Sequence, residues 1–245
     1  MVEVVKGGTT RAVAAEDRPH AMIKFDRVSK VYPGGSRALA DVSFDIEPGS
    51  MVFLTGHSGA GKTTLLRLVM MLERASRGQV IVNQRNLSNA PDRMAPLVRR
   101  NTGMIFQDHK LLKDKTVADN VALPLMIAGL KYSDIRKRVR AALDKVGLLD
   151  KEKAWPLTLS GGQQQRVGIA RAIVAMPPLI LADEPTGNLD PNLSRELFTL
   201  FEQISEQGTT ILIASHDLEL IRRTHKRVLV LSNGRLADDI PASNE

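Results

Sequence analysis

The sequence predicts an α/β fold: a mostly parallel sheet with an antiparallel β portion and a helical subdomain. Three observations carry this. A five-residue apolar run, Met51 to Thr55, leads directly into Gly56-His57-Ser58-Gly59-Ala60-Gly61-Lys62-Thr63 and then a helical pattern. From residue 160 onward, apolar runs of strand length alternate with amphipathic runs of helix length, as in βαβ units. Between them, residues 107–158 lose the strand pattern and read as helical.

Residues 1–21 are rich in Gly, Ala, Thr and charge without periodicity, and read as a flexible N-terminal extension. The folded domain is expected over 22–240, with the helical subdomain at about 108–160. Ile23, Phe25 and Val28 suggest an edge strand, closed by Pro33-Gly34-Gly35. Val42, Phe44 and Ile46 alternate as a half-buried strand. A helix is expected from Lys62 to Leu72, with strands at Gln79 to Asn83 and Gly103 to Phe106. Ser133 is expected to cap a helix with Ile135, Val139, Ala142, Leu143 and Val146 on its apolar face. Its other face carries Arg136, Lys137, Arg138, Arg140 and Lys145, read as a solvated surface. After Ser160-Gly161-Gly162 comes a helix to about Val174, then a strand, Leu179 to Ala182, ending in Asp183-Glu184. A helix over 191–206, a strand from Thr210 to Ala214, a short helix over 218–224 and a strand from Val228 to Ser232 complete the alternation. Asn233-Gly234 then signals a hairpin turn.

Composition narrows the function. Charge is ordinary in amount, with 34 Lys+Arg against 27 Asp+Glu, a net +7. The basic residues form no single tract, and aromatics are 4% of the chain, too few for a base-stacking surface, so no nucleic-acid partner is expected. There is no cysteine, which excludes disulfides, thiolate metal sites and cysteine nucleophiles. No apolar run approaches the ~20 residues of a membrane span, and the N-terminus lacks the apolar stretch of a signal peptide.

The Gly56–Thr63 segment matches G-x-x-x-x-G-K-[ST] in full, in the strand–loop–helix context that gives the pattern its meaning. Backbone N–H groups of such a loop face phosphate oxygens, and the helix start adds positive charge. Lys62 is expected at the β- and γ-phosphates and the Thr63 hydroxyl on Mg²⁺, with Thr64 alongside. Asp183 and Glu184 arrive together at the C-terminal edge of the sheet, where ligands bind. Asp183 suits Mg²⁺ and Glu184 suits a general base for an attacking water. Ser160, Gly161 and Gly162 at a helix start form a second anion cradle without a lysine.

These three motifs, in this order and spacing, resemble the ATP-binding cassette (ABC) family from residue 22 to about 236. The resemblance implies a P-loop ATPase cassette with ATP and Mg²⁺ as cofactors and a head-to-tail homodimer on ATP binding. In that dimer Ser160, Gly161, Gly162 and Gln163 cap the ATP held by the other subunit. Tyr32 then corresponds to the residue that stacks on adenine. Gln107 matches the glutamine that senses Mg²⁺ and the attacking water, Asn188-Leu189-Asp190 the loop crossing the interface, and His216 the histidine at the γ-phosphate. His57 sits at a variable loop position, where backbone rather than side-chain chemistry is expected.

Within the family, Phe53 to Lys62, Gly103 to His109, Asp119 to Ala122 and Ala142 to Lys151 look most like the bacterial cell-division branch. That likeness implies an FtsX-like integral membrane subunit, contact with division-ring proteins, and a peripheral position on the cytoplasmic face of the inner membrane at the division site. The lipoprotein-release and macrolide-export branch shares the same catalytic residues and is the alternative. Gln164 departs from the glutamate expected there. The apolar run from Leu111 to Ile127, with Leu111 and Leu112 beside Lys110, Lys113 and Lys115, is where a membrane subunit is expected to dock.

Overall fold

The computed structural model describes residues 20–187 and 189–243. The expected extension, up to residue 19, and Asn188 lie outside the described residues. The chain begins β1 (Ile23–Val31), β2 (Arg37–Ile46), β3 (Met51–Thr55), α1 (Lys62–Val69), β4 (Arg77–Val82) and β5 (Arg85–Asn86). It continues α2 (Ala95–Arg100), β6 (Thr102–Ile105), α3 (Val117–Ile127), α4 (Tyr132–Lys145) and α5 (Gly161–Ile173). It ends β7 (Leu179–Asp183), α6 (Pro191–Glu206), β8 (Thr210–Ala214), α7 (Leu218–Arg223), β9 (Arg227–Ser232) and β10 (Arg235–Ile240).

Two sheets result. The larger runs β10-β9-β3-β8-β7-β6, parallel throughout except for β10, which pairs antiparallel with β9. The smaller runs β2-β1-β4-β5 and is antiparallel. Strand period two sorts the side chains of the larger sheet into two cores. Phe53, Ile180, Ala182, Ile211 and Ile213 face α5, α6 and the helical subdomain. Val52, Leu54, Leu181, Leu212 and Leu229 face α1 and the smaller sheet. A strand covered on both faces must be apolar at every position, which is why β3, β7 and β8 read as continuous runs.

The helical subdomain hangs on the first core. Val117, Val121 and Leu125 of α3 and Ile135, Val139 and Leu143 of α4 are buried in it, while Arg136, Lys137 and Arg138 are exposed, as the pattern predicts. Among the described residues, no helix is long and apolar enough to cross a membrane.

Three local readings are corrected. β1 is an inner strand, hydrogen-bonded to β2 on one side and β4 on the other. Alternation reports one buried face and carries nothing about how many neighbours a strand has. α1 stops at Val69 because Met71 takes a left-handed backbone, φ 50°. Ser133 does not cap α4: the helix opens at Tyr132 from an extended Lys131, which leaves Ser133 inside the first turn. The hairpin expected at Asn233-Gly234 is present, and β10, which was not anticipated because its residues are mostly exposed, completes it.

Candidate active site

A cleft of about 510 Å³ opens where β3 and β7 end. Gly56, His57, Ser58, Gly59, Ala60, Gly61, Lys62, Thr63 and Thr64 line it, together with Gln107, Asp183, Glu184 and His216. Ala38 also lines it and was not anticipated.

The loop curls because two positions exclude side chains. Gly56 has φ 149°, and a Cβ there would lie 2.2 Å from the Leu231 carbonyl oxygen. Gly61 has φ 109°, and its Cβ would meet the Ala38 oxygen at 2.6 Å. The Lys62 ammonium reaches back over the loop and donates to the Gly56 carbonyl at 2.8 Å. The β9–β10 turn supports the loop from outside: the Gly234 N–H donates to Ala60 O at 3.2 Å and Gly234 O accepts from the Ala40 N–H at 2.8 Å. The Asn233 N–H lies 3.4 Å from His57 Nε2, so the His57 proton sits on Nδ1 and is donated to Ser58 O at 2.7 Å. His57 is thus used locally.

Opposite the loop stand the two acids. The Thr63 hydroxyl donates to Asp183 Oδ2 at 3.0 Å. Burial pushes the Asp183 carboxyl above the usual carboxylate range, the Thr63 bond pulls it back, and the adjacent Glu184 charge pushes it up again. Glu184 is held in a left-handed backbone, φ 50°, with its N–H donating to Ala214 O at 2.9 Å. Its Oε2 accepts from His216 Nδ1 at 2.8 Å and faces the His216 N–H at 3.4 Å. The Glu184 side chain is 12% exposed and that of His216 74%. A hydroxyl, a desolvated carboxylate and the Gln107 amide make a hard oxygen set suited to Mg²⁺. Among the described residues there is no group of three or more His, Asp or Glu side chains that could hold a metal ion.

The remaining expected residues lie outside this cleft. The Tyr32 hydroxyl is 3.3 Å from Thr64 Oγ1, at the rim. Ser160 caps α5 reciprocally with Gln163: Ser160 Oγ accepts from the Gln163 N–H at 3.3 Å, and Gln163 Oε1 from the Ser160 N–H at 3.0 Å. A Cβ on Gly162 would press on Leu189 and Leu193 at 3.3 and 3.4 Å, whereas one on Gly161 would meet open space. Asp190 caps α6 through the N–H groups of Asn192 and Leu193.

A second groove, about 410 Å³, starts at Phe106 and is floored by Pro124, Ile127, Ala172 and Pro177, with Arg99, Arg100 and Arg171 on its walls. Leu111, expected at such a surface, is half-buried against the first core instead. Arg171 donates to the carbonyls of His109 at 2.6 Å and Lys110 at 2.7 Å. Both residues are left-handed, with φ 59° and 47°.

A family model described as ABC transporter matches residues 39–187. The chain belongs to the ATP-binding cassette family. This cassette is an ATPase of the ABC type. Its relatives include the cell division ATP-binding protein FtsE of Escherichia coli K12, 57% identical over 215 residues, which are 88% of this chain and 97% of that protein. The Bacillus subtilis strain 168 protein of the same name is 43% identical over 89% of this cassette and 96% of its own length. A dimeric post-hydrolysis state of an ATP-binding cassette bound to ADP and Pi superposes with a TM-score of 0.85 at 32% identity, covering 91% of this chain and all of that one.

Replacing Lys62 by Ala removes the one ammonium among the described residues that line the cleft. ATP affinity is expected to fall by about 10–100-fold, the worth of a charge-assisted hydrogen bond or two, in a calorimetric titration. Wild-type affinity in a folded variant would move the phosphate site elsewhere.

Proposed function

We propose that this cassette is the ATP-binding and hydrolysing subunit of an FtsE–FtsX-type complex. It would couple ATP turnover through an integral membrane subunit to cell-wall hydrolases at the division site, from a peripheral position on the cytoplasmic face of the inner membrane. The observation that carries the chemistry is the unbroken series across one cleft: glycine loop, Thr63–Asp183 pair, Glu184–His216 pair. The identity to FtsE proteins over nearly their whole length supports the assignment to cell division.

In this reading the loop and Lys62 bind the β- and γ-phosphates. Thr63, Gln107 and Asp183 would hold Mg²⁺, which would neutralise charge on the phosphate oxygens. Glu184 accepts a proton from the water that attacks the γ-phosphorus. Its low exposure and the two His216 hydrogen bonds to Oε2 orient the carboxylate, and the exposed His216 ring would contact the γ-phosphate. Ser160, Gly161, Gly162 and Gln163 serve a second copy of the chain, and Asp190 lies at the same interface. The dimeric cassette of the same fold supports that arrangement. The groove beginning at Phe106 takes the membrane subunit, because it opens one residue from Gln107.

Three outcomes follow. Glu184→Gln keeps ATP binding and slows hydrolysis by about 10²–10⁴-fold, as loss of a general base does, so an ATP-bound dimer accumulates in size-exclusion chromatography. In that background Gly161→Leu abolishes the dimer while monomeric ATP binding persists. Gly161 is the cleaner site than Gly162 because nothing within the chain occupies the added volume. Near-normal turnover in the first variant, or an intact dimer in the second, would overturn the respective role. Affinity capture from detergent-solubilised membranes, with mass identification, should return an FtsX-like subunit. Recovery of a lipoprotein-release or drug-export subunit instead would reassign the complex.

A further inference from the structure

Tyr32 has an underlying support that the proposed nucleotide chemistry does not use. Lys30, the penultimate residue of β1, is 9% exposed. A buried ammonium needs partners to keep its charge. Lys30 Nζ donates to Glu73 Oε2 at 2.8 Å and to the Arg74 carbonyl at 2.9 Å. The same Nζ stands 4.8 Å from the centroid of the Tyr32 ring, within cation–π reach. The far end of the ring is tied separately, its hydroxyl 3.3 Å from Thr64 Oγ1 on α1. The Tyr32 backbone is held by the turn that follows, its N–H donating to Ser36 O at 2.9 Å and its carbonyl accepting from the Gly35 N–H at 3.1 Å.

We propose that Lys30, clamped by Glu73 and the Arg74 carbonyl, is a positioning residue for the nucleobase: it occupies one face of Tyr32 and presents the other as a fixed stacking platform. The inference rests on the reading of Tyr32 as the adenine-stacking residue. A preset ring spares the ordering cost that a mobile one incurs when a base arrives. The ammonium draws ring electrons toward its own side, and its charge reaches the base only through the ring. The support should therefore affect the base and leave the phosphates alone.

The test compares binding of ATP with binding of inorganic triphosphate, by competition against a fluorescent nucleotide, with thermal melting as the folding control. Lys30→Met is expected to weaken ATP by about 3–10-fold, the range of a modest cation–π contact, and to leave inorganic triphosphate unchanged. Glu73→Gln, which loosens the clamp without touching the ring, should weaken ATP in the same selective way. In a Tyr32→Ala background, Lys30→Met should have no further effect. Equal losses for both ligands, or an additive loss in that background, would make Lys30 a brace of the fold and overturn the inference. If Tyr32→Ala binds ATP and triphosphate like the wild type, the stacking reading itself falls. If Tyr32→Ala is selective for ATP and Lys30→Met is not, only the inference falls.

Discussion

The site depends on one steric constraint: backbone from separate segments converges on the loop at Gly56 and Gly61 and leaves no room for a side chain at either. Leu231 of β9 fills the space beside Gly56, and Ala38 of β2 fills it beside Gly61. The Gly234 turn then hydrogen-bonds to both β2 and the loop. Both sheets must therefore be in place before the loop has its shape. Arg227 reinforces the same junction, pairing with Asp239 on β10 and donating to the Asp45 carbonyl on β2. The pair raises the guanidinium and lowers the carboxyl, as a hydrogen-bonded ion pair does. The glycine loop is consequently a product of tertiary assembly, although its pattern is local.

The acids depend on register. β7 and β8 pair in parallel with Asp183 opposite Ala214, and the chain then turns so that the Glu184 N–H takes the Ala214 carbonyl. That turn requires the left-handed Glu184 backbone, a conformation costly for a residue with a side chain and typical of functional positions. It carries the carboxylate from the strand edge to His216, just past the end of β8. A one-residue slip of β7 would send Asp183 to the opposite face and away from Thr63.

What was legible in the sequence was whatever is encoded by spacing along one segment. The loop, the paired acids, the Ser160 cap and the helix over 191–206 needed no long-range information. Ala38 and the Leu231 backstop were illegible because they act through backbone atoms, which any residue supplies. β1 was misplaced at an edge because hydrogen-bond neighbours leave no trace in hydrophobic period. Ser133 misled because a good capping residue is only used where its own backbone is extended, and that condition falls at Lys131. The apolar groove escaped for a related reason. Phe106, Pro124 and the pair Ala172 and Pro177 come from three separate stretches, whereas Leu111 and Leu112 stood out by adjacency; Leu111 packs against the core and Leu112 is exposed.

The Arg171 contact has a mechanical consequence. A helix of 13 residues such as α5 is a rod of about 20 Å. Ser160 caps one end, and Arg171, in the last turn at the other, grips two consecutive carbonyls just after Gln107. Burial depresses the Arg171 pKa, yet a guanidinium stays charged at any physiological pH, so the grip does not slacken with acidity. The two carbonyls belong to left-handed residues with little freedom to yield. A displacement of one end of such a rod would therefore reach the other as a push or a twist on the segment that follows Gln107.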